Sequence, residues 1–265
     1  MAFAFEHDQP LSVDIPRLMH EQIVRAREHL AGRDVHNARK RFKETRALLR
    51  LIREPLGDSF AIENAWFRDA GRDLAAVRDA DAMLEALDKL EIPRGLHAKV
   101  KRRLQKNRAH PPVDGLIANA LDQLVFAQAR IALWPPMADS FDTIAAGLRR
   151  TYRDGRRAMN NAPSAEALHE WRKFVKSHWY HIQLLRHVWP PLMKAHAGVL
   201  DELSHALGDH HDLNVLGESA PELQRIIAAR HHELETQAFA LGARIYAERP
   251  DAFLARMRRW WTAWR

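Results

Sequence analysis

The chain has 265 residues, including 16 His, and its 41 Lys and Arg against 34 Asp and Glu give a formal net charge of +7. It has no cysteine, which excludes disulfide bonds, catalysis by a cysteine thiolate and cysteine-ligated zinc. The excess of positive charge suits a nucleic acid, an anionic membrane surface or another polyanion as partner.

The first residues of the chain and the length of its apolar stretches predict where in the cell the protein is located. Residues 1–8 include acidic side chains and no sustained apolar run after a basic one, so we do not expect a signal peptide. No stretch approaches the length of uncharged apolar sequence that a transmembrane helix needs, so none is expected. We therefore predict a cytoplasmic protein.

Apolar residues recur at spacings of three and four along almost the whole chain, and prolines or short polar turns interrupt the pattern. No alternating β-branched run indicates a strand, so the fold class predicted is all-α. The predicted helices span residues 14–31, 35–54, 60–89, 94–109, 112–133, 137–159, 164–188, 191–217, 221–247 and 250–264.

The predicted helix 35–54 carries its positive charge on one face. On a helical wheel its cationic residues fall within an arc of roughly 120°, and they are His36, Arg39, Lys40, Lys43, Arg46 and Arg50. The face broadly opposite holds Ala38, Phe42, Thr45, Leu48, Leu49 and Ile52. Like charges four residues apart repel each other along a helix, so an anion with many closely spaced charges would stabilise this face.

Two further basic runs come before the second half. Residues 99–108 spread their charge around the predicted helix, which favours an ordinary solvated surface, although an extension of the anion site is an open alternative. The helix at 137–159 carries a group of arginines, among which Arg153 or Arg156, together with Tyr152, could face the same anion site.

The cationic pattern recurs in the second half, with His36 matched by His169 at an offset of 133 residues. The repeated cations are His169, Arg172, Lys173 and Lys176, and the same arc continues with Tyr180 and Gln183. The same offset maps Asp79 onto Asp212 without a gap. One isolated basic stripe is commonly only a solvated face, but its repetition predicts a duplicated helical unit in which the stripe has a function.

The segment from Asp209 to Asp212, with His205 one turn earlier, raises the question of a metal site. A carboxylate-bridged metal site needs more inward-facing acids, and the equivalent segment of the first half offers few. We therefore expect no metal ligands here, and expect Asp79 and Asp212 to hold the repeated Arg or Lys residues in place. The tryptophans of the C-terminal helix could lie on a membrane surface, but their docking on the bundle is the favoured interpretation.

The paired motifs resemble the two signature helices of the CHAD family, a family of α-helical domains named for their histidines. The matching residues are His36-x-x-Arg39-x-x-x-Lys43-x-x-Arg46 and His169-x-x-Arg172-x-x-x-Lys176. Segments 77–81, 207–213 and 248–253 are also similar to the family's pattern, so the resemblance covers nearly the whole chain. Trp179 departs from it, because the family usually has a basic residue there, and this puts positive charge at that point in question.

The resemblance implies one domain over residues 1–265, formed by a pseudo-two-fold bundle whose repeats are approximately 14–133 and 137–265. It further implies that the basic stripes converge on a central groove or pore, and that the ligand is inorganic polyphosphate. Many family members accompany a triphosphate-processing domain, but the alternating Glu-x-Glu-x-Lys strand of that domain is absent here.

We therefore predict a non-catalytic polyphosphate-binding protein, with no cofactor, that acts at polyphosphate granules in the cytoplasm. The predicted binding residues are His36, Arg39, Lys40, Lys43, Arg46, Arg50, His169, Arg172, Lys173, Lys176, Arg153 and Arg156. One alternative is a nucleic-acid-binding protein that uses the same groove. The other is an enzyme that acts on polyphosphate or on phosphohistidine.

Overall fold

The computed structural model describes residues 3–106, 113–162 and 164–265, except for the side chains of residues 76–81. Within these residues the chain forms twelve α-helices and two short 3-10 turns, and no strand. The predicted all-α fold class is therefore confirmed.

The helices follow one another with short connections. The first half contains α1 (Leu11–Ala31), α2 (Val35–Leu51), α3 (Arg53–Leu56), α4 (Ser59–Asp73), α5 (Ala76–Asp88), α6 (Arg94–Lys106) and α7 (Val113–Arg130). The second half contains α8 (Asp142–Asn160), α9 (Ala165–Leu184), α10 (Pro190–Ser219), α11 (Gln224–Ile245) and α12 (Pro250–Trp264). The 3-10 turns are Ile131–Leu133 and Pro221–Leu223.

Two predicted helices are each divided in the structure. The helix predicted at 60–89 is interrupted between α4 and α5, where the carbonyl of Leu74 accepts a hydrogen bond at 3.3 Å from Nη1 of Arg39. The helix predicted at 35–54 is divided at Ile52 into α2 and α3. The helix predicted from 137 begins only at Asp142. The predicted boundary between 109 and 112 lies outside the described residues.

Side chains cap the two helices that carry the cationic stripes. The side chain of Asp34 accepts the backbone N–H of Asn37 at 3.0 Å at the start of α2. The hydroxyl of Ser164 accepts the N–H of Ala167 at 3.3 Å at the start of α9. Each such cap satisfies an orphan donor and stabilises its helix by roughly 1 kcal/mol.

The helices pair in the same order in both halves. In the first half α1 packs on α2 and α7, α2 on α4, and α5 on α6; in the second, α8 packs on α9 and α12, α9 on α10, and α10 on α11. The halves join where α2 contacts α8 and α9, and where α5 contacts α10. This order is what a duplicated unit would produce, while the repeat bounds and the pseudo-two-fold relation stay predictions.

Helix α2 is fixed tightly within the core. Its Phe42 lies between Trp66 and Phe67 of α4, with ring centroids 6.2 and 5.9 Å away. On the other side α8 approaches so closely that a Cβ added at Gly147 would overlap the backbone of Leu51. Glycine is therefore required at this point of α8, because a larger residue would push the two helices apart.

The tryptophans of α12 lie on the bundle, as the favoured interpretation expected. Trp261 is 5% exposed and packs edge-on against Phe5, with Phe141 also in contact. Trp260 and Trp264 are partly buried against the same core. These side chains are therefore used for packing within the protein.

One stretch in the described part of the chain, Val113–Leu133, is long and apolar enough to cross a membrane by length and composition alone. Its helix packs against α1, and Arg130 at its end pairs with Glu63 of α4 at 2.8 Å. Because core helices satisfy the same two criteria, this stretch is not a clear membrane span.

Buried histidines predict that acid destabilises the fold. His181 is fully buried, and its Nε2 lies 2.9 Å from the carbonyl of Ala47. Burial lowers the pKa of His181 to about 4 and that of His196 to about 4. Between pH 6.5 and 4 the unfolded chain therefore binds more protons, so stability is complete above 6.5 and falls as the pH drops toward 4, by on the order of 3 kcal/mol per histidine.

Thermal denaturation followed by circular dichroism from pH 7.5 to 4 measures this loss. The His181→Gln variant keeps an amide donor for Ala47 but cannot titrate, so its melting temperature should fall less over the same range. Parallel pH profiles for the two proteins would contradict the assignment of the loss to His181.

Candidate anion-binding site

The cationic face of α2 is solvent-accessible and the opposite face is buried, as the helical wheel predicted. His36, Lys40 and Lys43 are exposed, whereas Arg39, Arg46 and Arg50 are partly buried. Each member of the predicted opposite face is buried: Ala38, Phe42, Thr45, Leu48, Leu49 and Ile52. The charges are thus held on one side of a helix whose other side is anchored in the core.

Two arginines of α2 are desolvated beside neutral partners. Nε of Arg46 donates to Oδ1 of Asn64 at 3.2 Å, and Nη1 of Arg50 donates to Oγ of Ser177 on α9. Burial, together with Arg50, lowers the pKa of Arg46 to about 10. Burial lowers the pKa of Arg50 as well, although Glu170 on α9 acts in the opposite direction. The carboxylate of Asp69, which acts on Arg46 from a distance, is already paired with two other arginines. An anion placed here would therefore relieve a charge that the protein neutralises poorly.

The equivalent arginines Arg39 and Arg172 both lie against the following helix of their own half. Arg39 donates to the carbonyl of Leu74, where α4 ends. Arg172 lies on Gly208 of the uninterrupted α10, where an added Cβ would be 3.0 Å from Nη2. In the first half a break between two helices thus makes room for Arg39. In the second half a glycine in a continuous helix makes room for Arg172.

The ring of His169 contacts, at a tilt of 35°, a second histidine that the sequence did not single out for this site. Its ring centroid lies 4.0 Å from that of His211 on α10. Burial, with contributions from His211 and Lys173, lowers the pKa of His169 to about 4. In the free protein this ring is therefore neutral at pH 7, and a bound phosphate would have to raise its pKa before it could carry charge.

The lysines of α9 are held by acids and by an aromatic ring. Lys173 pairs with Glu170, and Nζ of Lys176 lies 3.5 Å from Asp201. Nζ of Lys176 also lies 4.2 Å from the ring centroid of Trp179. The departure from the family pattern at Trp179 thus places a cation–π partner beside Lys176 instead of another charge.

The two stripes meet where α2 and α9 contact each other. Burial lowers the pKa of Lys176, Asp201 opposes this shift, and Arg172 and to a smaller extent Lys40 on α2 add to it. The hydrogen bond from Arg50 to Ser177 joins the stripes at a second place.

Not every predicted residue lies at this junction. Tyr152, predicted to face the site, is instead fully buried, and its hydroxyl donates to the carbonyls of Ile245 and Glu248. Tyr180, predicted on the cationic arc, is only 3% exposed, and Phe3 packs edge-on against its ring with the centroids 6.2 Å apart. Arg156 lies beside Tyr152, close enough to act on the pKa of its hydroxyl. Both tyrosines are therefore withdrawn from the surface, whereas Arg156 is partly exposed and its part in the site stays a prediction.

Arg153 belongs to a further cationic cluster at the end of α2. It pairs with Asp154 at 2.9 Å. The pKa of Arg150 is lowered by burial and also by Arg53 and Arg153, while Asp154 opposes this shift and Glu54 pairs with Arg150 directly. A long anion could therefore continue past Arg50 to this cluster.

The acids of α10 hold cations. Asp209 pairs with Lys89 at 2.6 Å. Burial raises the pKa of Asp212, and Arg172 opposes this shift only as a nearby charge. Asp212 and Arg172, both within the described part of the chain, form no direct ion pair, so the structure does not bear out the predicted pairing of Asp212 with this arginine. The side chain of its counterpart Asp79 lies outside the described residues. Among the described residues no three His, Asp or Glu side chains are grouped closely enough to hold a metal ion.

Comparison with known proteins places this arrangement in a family. The family model described as the CHAD domain matches residues 17–221. A crystal structure of the CHAD domain from the plant Ricinus communis is similar, with a TM-score of 0.53 and 20% sequence identity over 100% of this chain and 96% of that chain. At this identity the likeness shows the fold alone. A comparison with curated proteins found no match.

The contact between Arg172 and Gly208 yields a testable substitution. Gly208→Ala should favour the helix but displace the guanidinium of Arg172, and so weaken binding of an oligophosphate anion roughly tenfold. Gly217→Ala is the matched control on the same helix, because its Cβ would make only ordinary contacts, the nearest at 3.5 Å. Isothermal titration calorimetry measures the affinities, and equal affinities for the two variants would show that Arg172 does not take part.

Proposed function

Because the chain belongs to the CHAD domain family, we propose that it binds inorganic polyphosphate, without catalysis, between the cationic faces of α2 and α9. The proposed contacts are His36, Arg39, Lys40, Lys43, Arg46, Arg50, His169, Arg172, Lys173 and Lys176, with Arg153 and Arg156 reached by longer chains. The proposed place of action is the polyphosphate granule in the cytoplasm.

The observation that carries this proposal is the crowding of poorly neutralised cations at the junction of the two stripes. Arg46 and Arg50 are desolvated and donate to neutral side chains. Lys176 is partly neutralised by Asp201 at 3.5 Å, and Arg172 and Lys40 act against its charge. This arrangement costs stability in the free protein, since like charges repel more strongly where water is excluded. A chain of phosphates supplies one negative charge after another at a spacing that can meet these groups.

The shape of the site favours a narrow chain over duplex nucleic acid. Residues 36–50 of α2 extend over roughly 21 Å, at about 1.5 Å per residue. The arginines along this length are partly buried between helices, so a single flexible phosphate chain reaches them more easily than a rigid duplex does. Excess duplex DNA should therefore displace little bound polyphosphate. Strong displacement would favour the alternative of a nucleic-acid-binding protein.

An enzyme acting on polyphosphate or on phosphohistidine is the other alternative. The proposed contacts include His36 and His169, which could in principle carry a phosphoryl group, but no group of carboxylates suited to hold magnesium lies beside them among the described residues. Incubation of the protein with long-chain polyphosphate and magnesium, followed by gel analysis of chain length, tests this point. Shortening of the chains would replace the binding role by a catalytic one.

Reversing one charge in each stripe tests whether they act together. Lys43→Glu and Lys176→Glu should each weaken long-chain polyphosphate binding by at least about tenfold, because each variant replaces an attraction by a repulsion. Arg244→Glu on α11 is the control, since it makes the same reversal at an exposed position outside both stripes. Calorimetry gives the affinities and circular dichroism checks the helical content. An effect of only one of the two substitutions would refute a site shared by both helices.

A further inference from the structure

The two halves differ at one end of the cationic stripe. Under the offset of 133 residues, Arg46 corresponds to Trp179 and Arg50 to Gln183. On the following helix, Arg68 corresponds to Asp201. The first half thus has three arginines where the second half has an aromatic ring, an amide and a carboxylate. The two ends of the site therefore differ in chemistry. The end in the first half suits phosphate, and the end in the second half suits a different group.

A cavity lies at this second end, between α9 and the first turns of α10. Its volume is about 510 Å³, which is within the usual range for small-molecule sites. Trp179 and Gln183 line it from α9, and Met193 and Gly198 line it from α10. A Cβ at Gly198 would meet open space, so the glycine leaves the cavity wide at this point.

The walls combine an aromatic surface with cations on the rim. Arg186 and Lys194 border the cavity, and so does Asp201, which lies 3.5 Å from Nζ of Lys176. Lys176 is therefore the point where the phosphate-binding stripe and the cavity meet. Nζ of Lys176 covers one face of the Trp179 ring, 4.2 Å from its centroid, so a flat ring has the opposite face as its stacking surface. Flat rings stack well on tryptophan in nucleic-acid-binding sites.

We propose that this cavity binds the nucleoside of a nucleoside polyphosphate, whose phosphate tail lies along the stripe from Lys176. The base stacks on Trp179, and the amide of Gln183 and the carboxylate of Asp201 meet its polar edge or the ribose hydroxyls. Arg186 and Lys194, at the rim of the cavity, stabilise the negative charge of the bound nucleoside polyphosphate. This assignment rests on the proposed function, because the tail uses the same cations as inorganic polyphosphate.

The test compares ATP with tripolyphosphate, which has the same number of phosphates and no nucleoside. Calorimetry in the presence of EDTA should give roughly tenfold tighter binding of ATP, since stacking of one base contributes about 1–3 kcal/mol. Trp179→Arg restores the residue of the first half, and should abolish this preference while tripolyphosphate binding is kept or strengthened. Gly198→Leu fills the cavity, and should abolish the preference while long-chain polyphosphate binding is kept.

The outcomes separate this inference from the proposed function. Equal affinities of the unmodified protein for ATP and tripolyphosphate, with long chains still bound, would overturn the nucleoside site alone. Absence of binding to any polyphosphate would overturn both. A preference for ATP that survives in both variants would also overturn the assignment to this cavity. If Trp179→Arg fails to fold by circular dichroism, Gln183→Arg makes the same comparison at a partly exposed position.

Discussion

The repulsion between two cationic helix faces held in contact is the constraint on which this structure depends. Arg50 reaches Ser177 across the junction of α2 and α9, and Lys40 acts on Lys176. Such crowding persists only if the helices cannot move apart. The aromatic cluster around Phe42 on α4 and the close approach at Gly147 on α8 hold α2 in place. The core thus stabilises a surface that would be unfavourable in isolated helices.

Carboxylates near the site reduce the repulsion between the cations of the two stripes but do not cancel it. Asp201 lies beside Lys176, Glu170 pairs with Lys173, and Asp212 opposes the charge of Arg172. These carboxylates stand mainly on the second half of the junction, whereas Arg46 and Arg50 in the first half have neutral direct partners. The first half therefore has the stronger attraction for anions. The second half has the cavity beside Trp179 instead, and the two ends of the site differ in what they can hold.

The sequence was informative where a regular period decides the outcome. The 3.6-residue period of helix 35–54 placed Ala38 and Leu48 in the core and Lys43 at the surface, and the offset of 133 residues matched Arg172 to Arg39. The sequence did not reveal which segments that are distant along the chain contact each other in the fold. Arg39 donates to the carbonyl of Leu74 at the break between α4 and α5, and Phe3 packs on the buried ring of Tyr180. The low pKa of His169 comes from its burial beside His211. None of these follows from the spacing of residues along one helix.

The dependence of affinity on chain length tests the central claim most directly, namely that both stripes bind one ligand. Triphosphate is too short to meet both ends of a stripe of roughly 21 Å, whereas a long chain meets every contact without a new entropic penalty for each. Calorimetry with triphosphate, medium chains and long chains at two salt concentrations should show affinity that climbs steeply with length, levels off when the site is filled, and falls with salt. Equal affinity per site for triphosphate and long chains would mean a pocket for one small anion, and would contradict a site shared by α2 and α9.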